Sequence, residues 1–385
     1  MLPKTVNLFV VLVVVAIPEG LPLTTQVSLA FSVLRMYKQD RILLRKQDAL
    51  EKLAEANEMI IGKSNILTTG RMKVKQFHLE GVTKQNARPD TILNCELNDQ
   101  TLRLVQEGIL YNNSAYVQMG ETKFVPVGDG TEVGLLKFLQ NADVPIHTEI
   151  NRRFDIQRVV AQVPLRQTSP GLFYTACAVD EGDDFINIHI KGAPDAVLPL
   201  AQYIAGPGAE LQALDESQKA FFRVEVDKMA ATPLRVIAFA HAEIQKTEWE
   251  QMLLQQEGVS PNDVLASSLI YNPGQAGLGI KIVGALGLED KVRPKARSAL
   301  SHAVGPADDP RIRVRMLTGD SLATAQAVAL QVGLVTEDDL KGSGNVVMDA
   351  QAFDEATRDG KDADAVQTIL SELRVLAKCT PKHRV

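Results

Sequence analysis

The sequence predicts an α/β protein that combines a doubly wound parallel sheet with a mixed α+β region and an apolar N-terminal helix. Apolar runs at residues 283–288 and 314–317, followed by a helix-like stretch at 321–332, have the strand–helix rhythm of a doubly wound sheet. Between about Val74 and Ile280, strand-like runs such as FINIHI alternate with helical stretches and Gly/Pro breaks, which is typical of an α+β region.

The N-terminal apolar stretch predicts a membrane-type helix. Residues 8–17 read LFVVLVVVAI, and Glu19 is the only charged residue between Lys4 and Arg35. A helix needs roughly 20 apolar residues to cross a bilayer. Two other interpretations are a signal peptide with Lys4 as its basic end, and a buried core helix that ends in a Pro-Gly turn.

Glu19 is a candidate calcium ligand. It lies in the stretch PEGLP, where Pro18 and Pro22 remove backbone donors and free carbonyl oxygens that need another partner. Carboxylate and carbonyl oxygens are the ligands that calcium prefers, but one residue fills only a small part of the calcium coordination shell. We therefore expect a vestigial ligand, or a residue that caps a helix break at a membrane surface or contacts a partner.

A basic helix and a short strand are predicted next. Apolar residues recur at helical spacing between residues 28 and 58, and the basic residues between Arg35 and Lys46 indicate a stalk helix on the cytoplasmic side of a membrane. Residues 59–62 (MIIG) then predict a short buried strand that ends at Gly62.

The composition excludes several functional classes. The chain has 385 residues, 45% hydrophobic and 23% charged, which is enough for two or three packed domains. A formal net charge of -6 gives no general attraction for nucleic acid. Cys95, Cys177 and Cys379 are far apart and odd in number, so we predict neither a disulfide framework nor a zinc site.

Several segments, in order along the chain, resemble those of the P-type ATPases, and they are most similar to the calcium pumps of the plasma-membrane type. Each motif alone is more often an ordinary turn or helix cap, so the ordered set carries the resemblance. The segments are 13–31 (VVVAIPEGLPLTTQVSLAF), 128–139 (GDGTEVGLLKFL), 191–193 (KGA), Leu234-Arg235, 290–294 (DKVRP), 316–320 (MLTGD) and 375–381 (VLAKCTP).

The resemblance implies an incomplete HAD-like phosphorylation domain with a nucleotide-binding-type domain inserted into it. The implied domains are the apolar helix at 1–35, the stalk and first strand at 36–73, the nucleotide-binding-type domain at 74–280 and the rest of the phosphorylation-type domain at 281–385. The final strands of the sheet are expected to be missing or supplied by another chain. A sheet edge left open in this way predicts a protein partner that covers it.

The resemblance also implies contacts to a nucleotide. An ammonium on a glycine-flanked turn and a planar guanidinium both suit phosphate oxygens, and a hydroxyl with backbone amides at a helix N-terminus forms a phosphate cradle. The implied residues are Glu132, Lys191, Gly192, Arg235, Thr318, Gly319 and Asp320.

The chain departs from the family pattern at the residue that receives phosphate. Residues 62–68 read GKSNILT where the family has DKTGTLT, so Gly62 occupies the position of the phosphorylated aspartate. Glycine offers no side chain as nucleophile. Ser64 cannot easily replace it, because phosphoryl transfer tolerates little misplacement and no base for Ser64 is identifiable. We therefore predict a pseudoenzyme without a catalytic residue.

Two further departures weaken the expected binding of cofactors. The magnesium-binding segment of the family lies downstream of the matched region, and His383-Arg384 stand where the element before that segment usually has Asp-Lys, so bound Mg²⁺ and Ca²⁺ are both doubtful. Leu165 stands where the family has an aromatic residue that stacks on adenine. The sequence therefore predicts weak ATP binding.

The leading hypothesis is a catalytically inactive pump-like protein that acts as a structural or regulatory subunit of a larger assembly. The alternatives are a fragment or split subunit of a calcium-transporting ATPase, and an ATP-binding module without hydrolysis. The predicted location is a membrane with the soluble domains in the cytoplasm, or the interior of a large protein assembly. Protein partners that cover the apolar helix and the truncated sheet are expected in each case.

Overall fold

A computed structural model describes residues 2–16, 20–46, 48–85, 97–120, 124–155, 158–169, 172–232, 234–256, 258–269, 278–305, 312–342, 344–358 and 360–384. The chain divides into two compact units, Met1–Met59 with Arg311–Arg313, and Ile60–Pro310 with Val314–Val385.

The described helices and strands alternate along most of the chain. The helices are α1 Leu2–Ala16, α2 Gly20–Arg35, α3 Asp48–Ala54, α4 Asp99–Leu110, α5 Gly130–Gln140, α6 Ile146–Asp155, α7 Pro194–Val197, α8 Glu216–Ala231, α9 Lys246–Gln255, α10 Pro261–Ser268, α11 Ala296–Val304, α12 Leu322–Val332, α13 Glu337–Lys341, α14 Ala350–Thr357 and α15 Ala363–Glu372. The strands are β1 Glu58–Gly62, β2 Thr68–Leu79, β3 Val82–Gln85, β4 Tyr116–Met119, β5 Phe124–Val127, β6 Val159–Ser169, β7 Leu172–Asp180, β8 Phe185–Gly192, β9 Tyr203–Ala205, β10 Leu211–Ala213, β11 Leu234–Gln245, β12 Lys281–Val292, β13 Arg313–Leu317, β14 Val347–Asp349 and β15 Val375–Ala377.

The first unit carries apolar side chains on its surface. On α1, Leu8, Phe9 and Leu12 are exposed, and on α2 the same holds for Leu23 and Phe31. Among the helices formed by described residues, none combines the length and the apolar character that a membrane crossing requires. The expectation of a membrane-type helix therefore stays a prediction.

The predicted continuous stalk helix is interrupted. A π-type turn at Met36–Asp40 extends α2, and Arg41 then adopts the left-handed conformation with φ 57°. Ile42 donates a 3.1 Å backbone hydrogen bond to the Met36 carbonyl. A residue in this conformation ends a helix, so residues 41–46 leave the helical path and the next helix begins at Asp48.

The second unit contains the parallel sheet that the sequence predicts. Its strand order is β1-β13-β15-β14, and β15 pairs in parallel with both β13 and β14. In α/β sheets of this kind, ligands bind beyond the carboxyl ends of the strands. A ligand site is therefore expected at the edge of the sheet formed by the ends of β1, β13 and β15.

A large, mainly antiparallel sheet also lies in the second unit, with β9 and β12 paired in parallel. Its strands follow the order β10-β9-β12-β11-β8-β7-β6, with β2 also paired to β12 and β3 to β2. One core cluster packs Tyr174, Ile188 and Trp249 on one side, and another packs Phe77, Leu135 and Phe239. Helices therefore cover both faces of this sheet, whose strands β2 and β12 lead into the parallel-sheet region.

Candidate functional site

The loop after β1 is held in place from a distant part of the chain. Gly62 ends the strand with extended backbone angles, φ -79° and ψ 152°. The Thr68 hydroxyl donates to the Asp290 carboxylate at 2.6 Å, and the Gly70 N–H donates to the other carboxylate oxygen at 2.8 Å. Arg293 donates from Nε to the Thr68 carbonyl oxygen at 2.9 Å. The DKVRP segment therefore fixes the shape of residues 62–70.

A buried ion pair joins this loop to the end of β13. The ammonium of Lys63 contacts the carboxylate of Asp320, and both side chains are largely buried. The Thr318 hydroxyl donates to the same carboxylate at 2.9 Å. Burial raises the pKa of Asp320, but the Lys63 charge and the hydrogen bonds from Lys63 and Thr318 outweigh it, so the pKa lies below its usual range. The Lys63 ammonium and the Asp320 carboxylate therefore neutralise each other's charge.

The segment after β15 closes the same edge of the parallel sheet. Lys378 donates its backbone N–H to the Asp320 carbonyl at 2.9 Å, and Cys379 donates to the Thr318 carbonyl at the same distance. The His383 ring donates from Nε2 to the Asp354 carboxylate at 3.1 Å. These contacts bring the predicted TGD element and the CTP segment together.

A cleft of about 1090 Å³ opens between this edge and the antiparallel sheet, within the second unit. Polar residues of both parts converge on it, among them Glu132, Lys191, Arg235, Asp320 and Lys378. Its apolar lining includes Leu135, Leu165, Phe173, Leu198, Val236 and Ile237. The volume and the mixed lining are those of a site for a small organic ligand.

Two cations of the cleft are anchored on α5. Lys191, at the end of β8 and almost fully buried, pairs with the Glu132 carboxylate at 2.5 Å. Arg235, at the start of β11, donates from Nη1 to the Thr131 hydroxyl at 3.0 Å. Asp129 caps α5 by accepting the Thr131 N–H at 2.8 Å. The GDGTE segment thus orients both basic side chains toward one space.

The structure brings most of the predicted nucleotide contacts together. Glu132, Lys191, Gly192, Arg235, Gly319 and Asp320 line the cleft. Thr318 is buried beneath them, where its hydroxyl contacts Asp320. Sequence reasoning missed Phe173, Asp349 and Lys378, which also line the cleft. No local motif marks Phe173 or Asp349, and Lys378 lies in the VLAKCTP segment without a role assigned to it; strand pairing and the sheet edge bring all three to the cleft.

The side chains of the cleft suit an organic ligand that carries phosphate. Two cations lie beside an apolar wall that includes an aromatic ring, which suits phosphate at one end and a base at the other. Within the described part of the chain, no three His, Cys, Asp or Glu residues are arranged to hold a metal. Glu19, the predicted calcium ligand, and Cys95 lie outside the described residues.

Comparisons with known proteins give one family and a set of relatives. The family model described as "P-type ATPase, cytoplasmic domain N" matches residues 100–295. Calcium-transporting ATPase 9, plasma membrane-type, of Arabidopsis thaliana is 26% identical over 390 residues, covering 99% of this chain and 32% of the relative. Plasma membrane calcium-transporting ATPase 4 of Homo sapiens is 28% identical over 400 residues, covering 97% of this chain and 28% of the relative.

A third relative gives the same proportions. Calcium-transporting ATPase 7, plasma membrane-type, of Oryza sativa subsp. japonica is 27% identical over 379 residues, covering 98% of this chain and 32% of the relative. The chain spans about a third of the length of the curated relatives it matches.

Proposed function

The chain belongs to the P-type ATPase family, through its cytoplasmic domain N, and from this premise we propose that it is a pump-like protein that forms no phosphoenzyme. It acts instead as a structural or regulatory component of a larger assembly. The relatives bear the names of calcium-transporting ATPases, so we propose that this chain has the domain architecture of a calcium pump without its activity.

The observation that supports inactivity is the end of β1. The loop that follows is fully built, with Thr68 bound to Asp290 and Lys63 paired with Asp320. Glycine at position 62 offers no nucleophile at the end of this strand. Ser64 is exposed, and the neighbouring ammonium of Lys63 is engaged by Asp320 rather than free to serve a reaction. A scaffold without its reacting atom favours a role in binding or assembly.

Phosphate transfer from ATP tests this proposal. The full chain is incubated with γ-labelled ATP, Mg²⁺ and Ca²⁺, quenched in acid and assayed for retained label before and after hydroxylamine, which cleaves acyl phosphates. We expect no hydroxylamine-sensitive label in the wild type. The Gly62→Asp variant is the matched comparison, since it places a carboxylate at that position. Label in the 60–70 loop of the wild type, with calcium-stimulated turnover, would overturn the proposal.

A fragment or split subunit of a calcium-transporting ATPase is the second candidate. The relatives' length favours it, since this chain matches only about a third of each relative. A partner chain would have to supply the other two thirds of such a protein. The partner would also have to provide the phosphorylated carboxylate. Reconstitution of the chain with its co-purifying polypeptides tests this candidate, and calcium-dependent ATP hydrolysis that neither component shows alone would support it.

An ATP-binding module without hydrolysis is the third candidate, and the cleft favours it. Lys191 and Arg235 present two cations to a space large enough for a nucleotide. Calorimetric titration of the full chain with ATP tests binding directly. Absence of heat at millimolar ATP would remove this candidate and leave the structural role.

We place the chain at a membrane with its soluble domains in the cytoplasm, or inside a protein assembly. The exposed apolar side chains of α1 and α2 support a bilayer or a partner that covers them. The plasma-membrane names of the relatives favour the bilayer. Flotation of the full chain with liposomes, compared with a chain that lacks residues 1–35, separates the two locations.

A further inference from the structure

We infer that Thr380, His383 and Asp354 form a nucleophile, base and carboxylate triad that hydrolyses small carboxylic esters in the cleft. This activity needs neither ATP nor a carboxylate at position 62, so it is independent of the proposed function. His383 stands where the P-type ATPases usually have aspartate, so the triad belongs to this chain and not to the catalytic machinery of the family.

The hydrogen bonds of His383 fix the position of its ring proton. The backbone N–H of Thr380 can only donate, and it donates to His383 Nδ1 at 3.1 Å. Nδ1 is therefore the unprotonated nitrogen. The ring proton lies on Nε2, where the Asp354 carboxylate accepts it at 3.1 Å. The ring thus turns its basic nitrogen toward Thr380 and its N–H toward the carboxylate.

The hydroxyl of Thr380 lies on this basic nitrogen. Its Oγ1 is 2.9 Å from His383 Nδ1, which is within the distance at which a base takes a proton from a nucleophile. A carboxylate, an imidazole and a hydroxyl in this order activate the hydroxyl in serine hydrolases, where the group is recognised by geometry and not by sequence position. The two ring nitrogens exchange places here, since Nδ1 faces the hydroxyl.

The contact with Asp354 goes beyond what local capping requires. Thr380 and His383 also begin the short helical turn Pro381–Arg384, in which the His383 N–H donates to the Thr380 carbonyl at 3.1 Å. A cap of this kind needs only the contact between the first backbone N–H and the ring. Asp354 reaches the ring from α14, 29 positions earlier in the chain. The ring is therefore held on both sides, as a general base must be.

The triad opens onto the cleft. Asp354, Thr380 and His383 line it together with Lys378 and Lys382. The side chain of His383 is 8% exposed and that of Asp354 is 27% exposed, so little water competes for their hydrogen bond. Lys378 and Lys382 bring ammonium groups to the same end of the cleft. Positive charge of this kind stabilises the oxyanion that forms when a carbonyl carbon is attacked.

The hydrolysis proceeds in two steps. Thr380 Oγ1 attacks the ester carbonyl carbon and gives its proton to His383 Nδ1, the C–O bond to the leaving alcohol breaks, and the alcohol takes that proton. Water then attacks the acyl-threonine and gives a proton to Nδ1. The acyl bond to Oγ1 breaks, the carboxylic acid leaves, and the proton returns to Oγ1. One ester and one water become one acid and one alcohol.

Hydrolysis of p-nitrophenyl acetate by the full chain without nucleotide tests the triad. We expect an acetyl group on Thr380, located by mass spectrometry after an acid quench. Thr380→Val removes the hydroxyl at nearly constant volume and should lower the protein-dependent rate by about 100-fold or more. Thr380→Ser should retain the activity. His302→Asn is the matched control, since this exposed histidine of α11 lies outside the cleft lining.

Asp354 is a positioning residue and has its own test. Asp354→Asn should lower kcat and leave KM unchanged, because the carboxylate orients the ring without touching the ester. Thermal unfolding of each variant at the wild-type midpoint shows that the fold is intact.

Four results would overturn the triad. They are a wild type no faster than the buffer, equal rates for Thr380→Val and the wild type, acetyl groups on lysines but not on Thr380, and hydrolysis of p-nitrophenyl phosphate in preference to the acetate. The last result would assign phosphoryl chemistry to the site. None of them bears on transfer of label from ATP to the 60–70 loop, so the proposed function is tested separately.

Discussion

The hydroxyl of Thr68 donates a 2.6 Å hydrogen bond to the carboxylate of Asp290, a residue 222 positions further along the chain. The same carboxylate accepts the Gly70 N–H, so one buried side chain satisfies two donors of the loop after β1. The contact connects the two halves of the parallel-sheet region through strands β2 and β12, which pair directly.

Removal of the Asp290 carboxylate should therefore destabilise the second unit. We expect Asp290→Ala to lower the free energy of unfolding by about 2–5 kcal/mol, because the buried Thr68 hydroxyl and the part-buried Gly70 N–H lose a charged acceptor. Urea titration followed by circular dichroism measures the change. Asp338→Asn is the control, since that side chain is 96% exposed and should unfold at the wild-type midpoint. Equal midpoints for Asp290→Ala and the wild type would contradict the role of the carboxylate.

Glycines 62 and 192 should respond in opposite ways to the addition of one methyl group. A Cβ at Gly62 meets only Ile66 Cδ1, at 3.8 Å, and φ is -79°, so Gly62→Ala should be neutral or stabilise the chain by about 0.4–1 kcal/mol. A Cβ at Gly192 meets backbone atoms at 2.4 and 2.6 Å. We expect Gly192→Ala to cost about 1–3 kcal/mol. Thermal unfolding of the two variants measures their stabilities. A Gly192→Ala variant that is more stable than Gly62→Ala would contradict this prediction.

Two buried histidines make the second unit sensitive to acid. Burial lowers the pKa of His189 to about 3, with a further contribution from Arg103, and the pKa of His241 is well below normal through burial, His189 and Lys281. His189 Nε2 and His241 Nδ1 are buried and find no hydrogen-bond partner among the residues that the structure describes. Below the unfolded pKa of 6.5, the unfolded chain therefore takes up protons at both rings that the folded chain does not, and for His189 this holds down to a pH of about 3.

Stability should therefore be full above pH 6.5 and fall as the pH drops, by up to about 1.4 kcal/mol per pH unit from His189 until the pH nears 3, and His241 should add a loss in the same direction. Urea titrations at a series of pH values measure the slope. His189→Leu should reduce the slope, whereas His302→Leu, at an exposed position on α11, should leave it unchanged. A His189→Leu slope equal to that of the wild type would rule out the buried ring as the cause.

The ion pair between Lys191 and Glu132 should show strong coupling, because both side chains are largely buried. Lys191→Met leaves the Glu132 carboxylate without its cation, and we expect a loss of about 3–5 kcal/mol in the free energy of unfolding. The double variant with Glu132→Gln should recover part of this loss, with a coupling energy of about 1–3 kcal/mol.

The exposed pair of Lys219 and Glu216 on α8 is the control for this cycle, since the Glu216 side chain is 86% exposed. Its coupling should be much smaller, because water and salt screen exposed charges. Similar coupling in the two pairs would show that burial does not determine the strength of the Lys191–Glu132 contact.

Local periodicity predicted the regular elements well. The runs at 185–190, 236–240, 283–288 and 314–317 lie within β8, β11, β12 and β13, and the stretch 321–332 forms α12 with Ser321 as its cap. The resemblance to P-type ATPases is confirmed by the family match. Elements of this kind depend on residues near each other in the chain, which is why the sequence is informative about them.

Features that depend on tertiary pairing could not be predicted. Arg41 ends the stalk helix in the left-handed conformation, and because it is not a glycine nothing in the sequence marks it as a helix end. The Lys63–Asp320 pair joins residues that are far apart in the sequence. Phe173 becomes a cleft residue only through the register of β7 against β8. The domain boundaries at 35, 73 and 280 and the absence of catalysis stay predictions.

The pairing of β2 with β12 also bears on how the chain folds. Thr68 lies opposite Val292 and Val74 opposite Leu288, so the first long strand finds its neighbour only after more than 200 intervening residues exist. At roughly 5–20 residues per second, a ribosome needs about 10–45 s to make them. During that time β2 has an open edge, and contacts of such long range also slow folding in general. Nascent chains of this protein should depend on chaperones until β12 emerges.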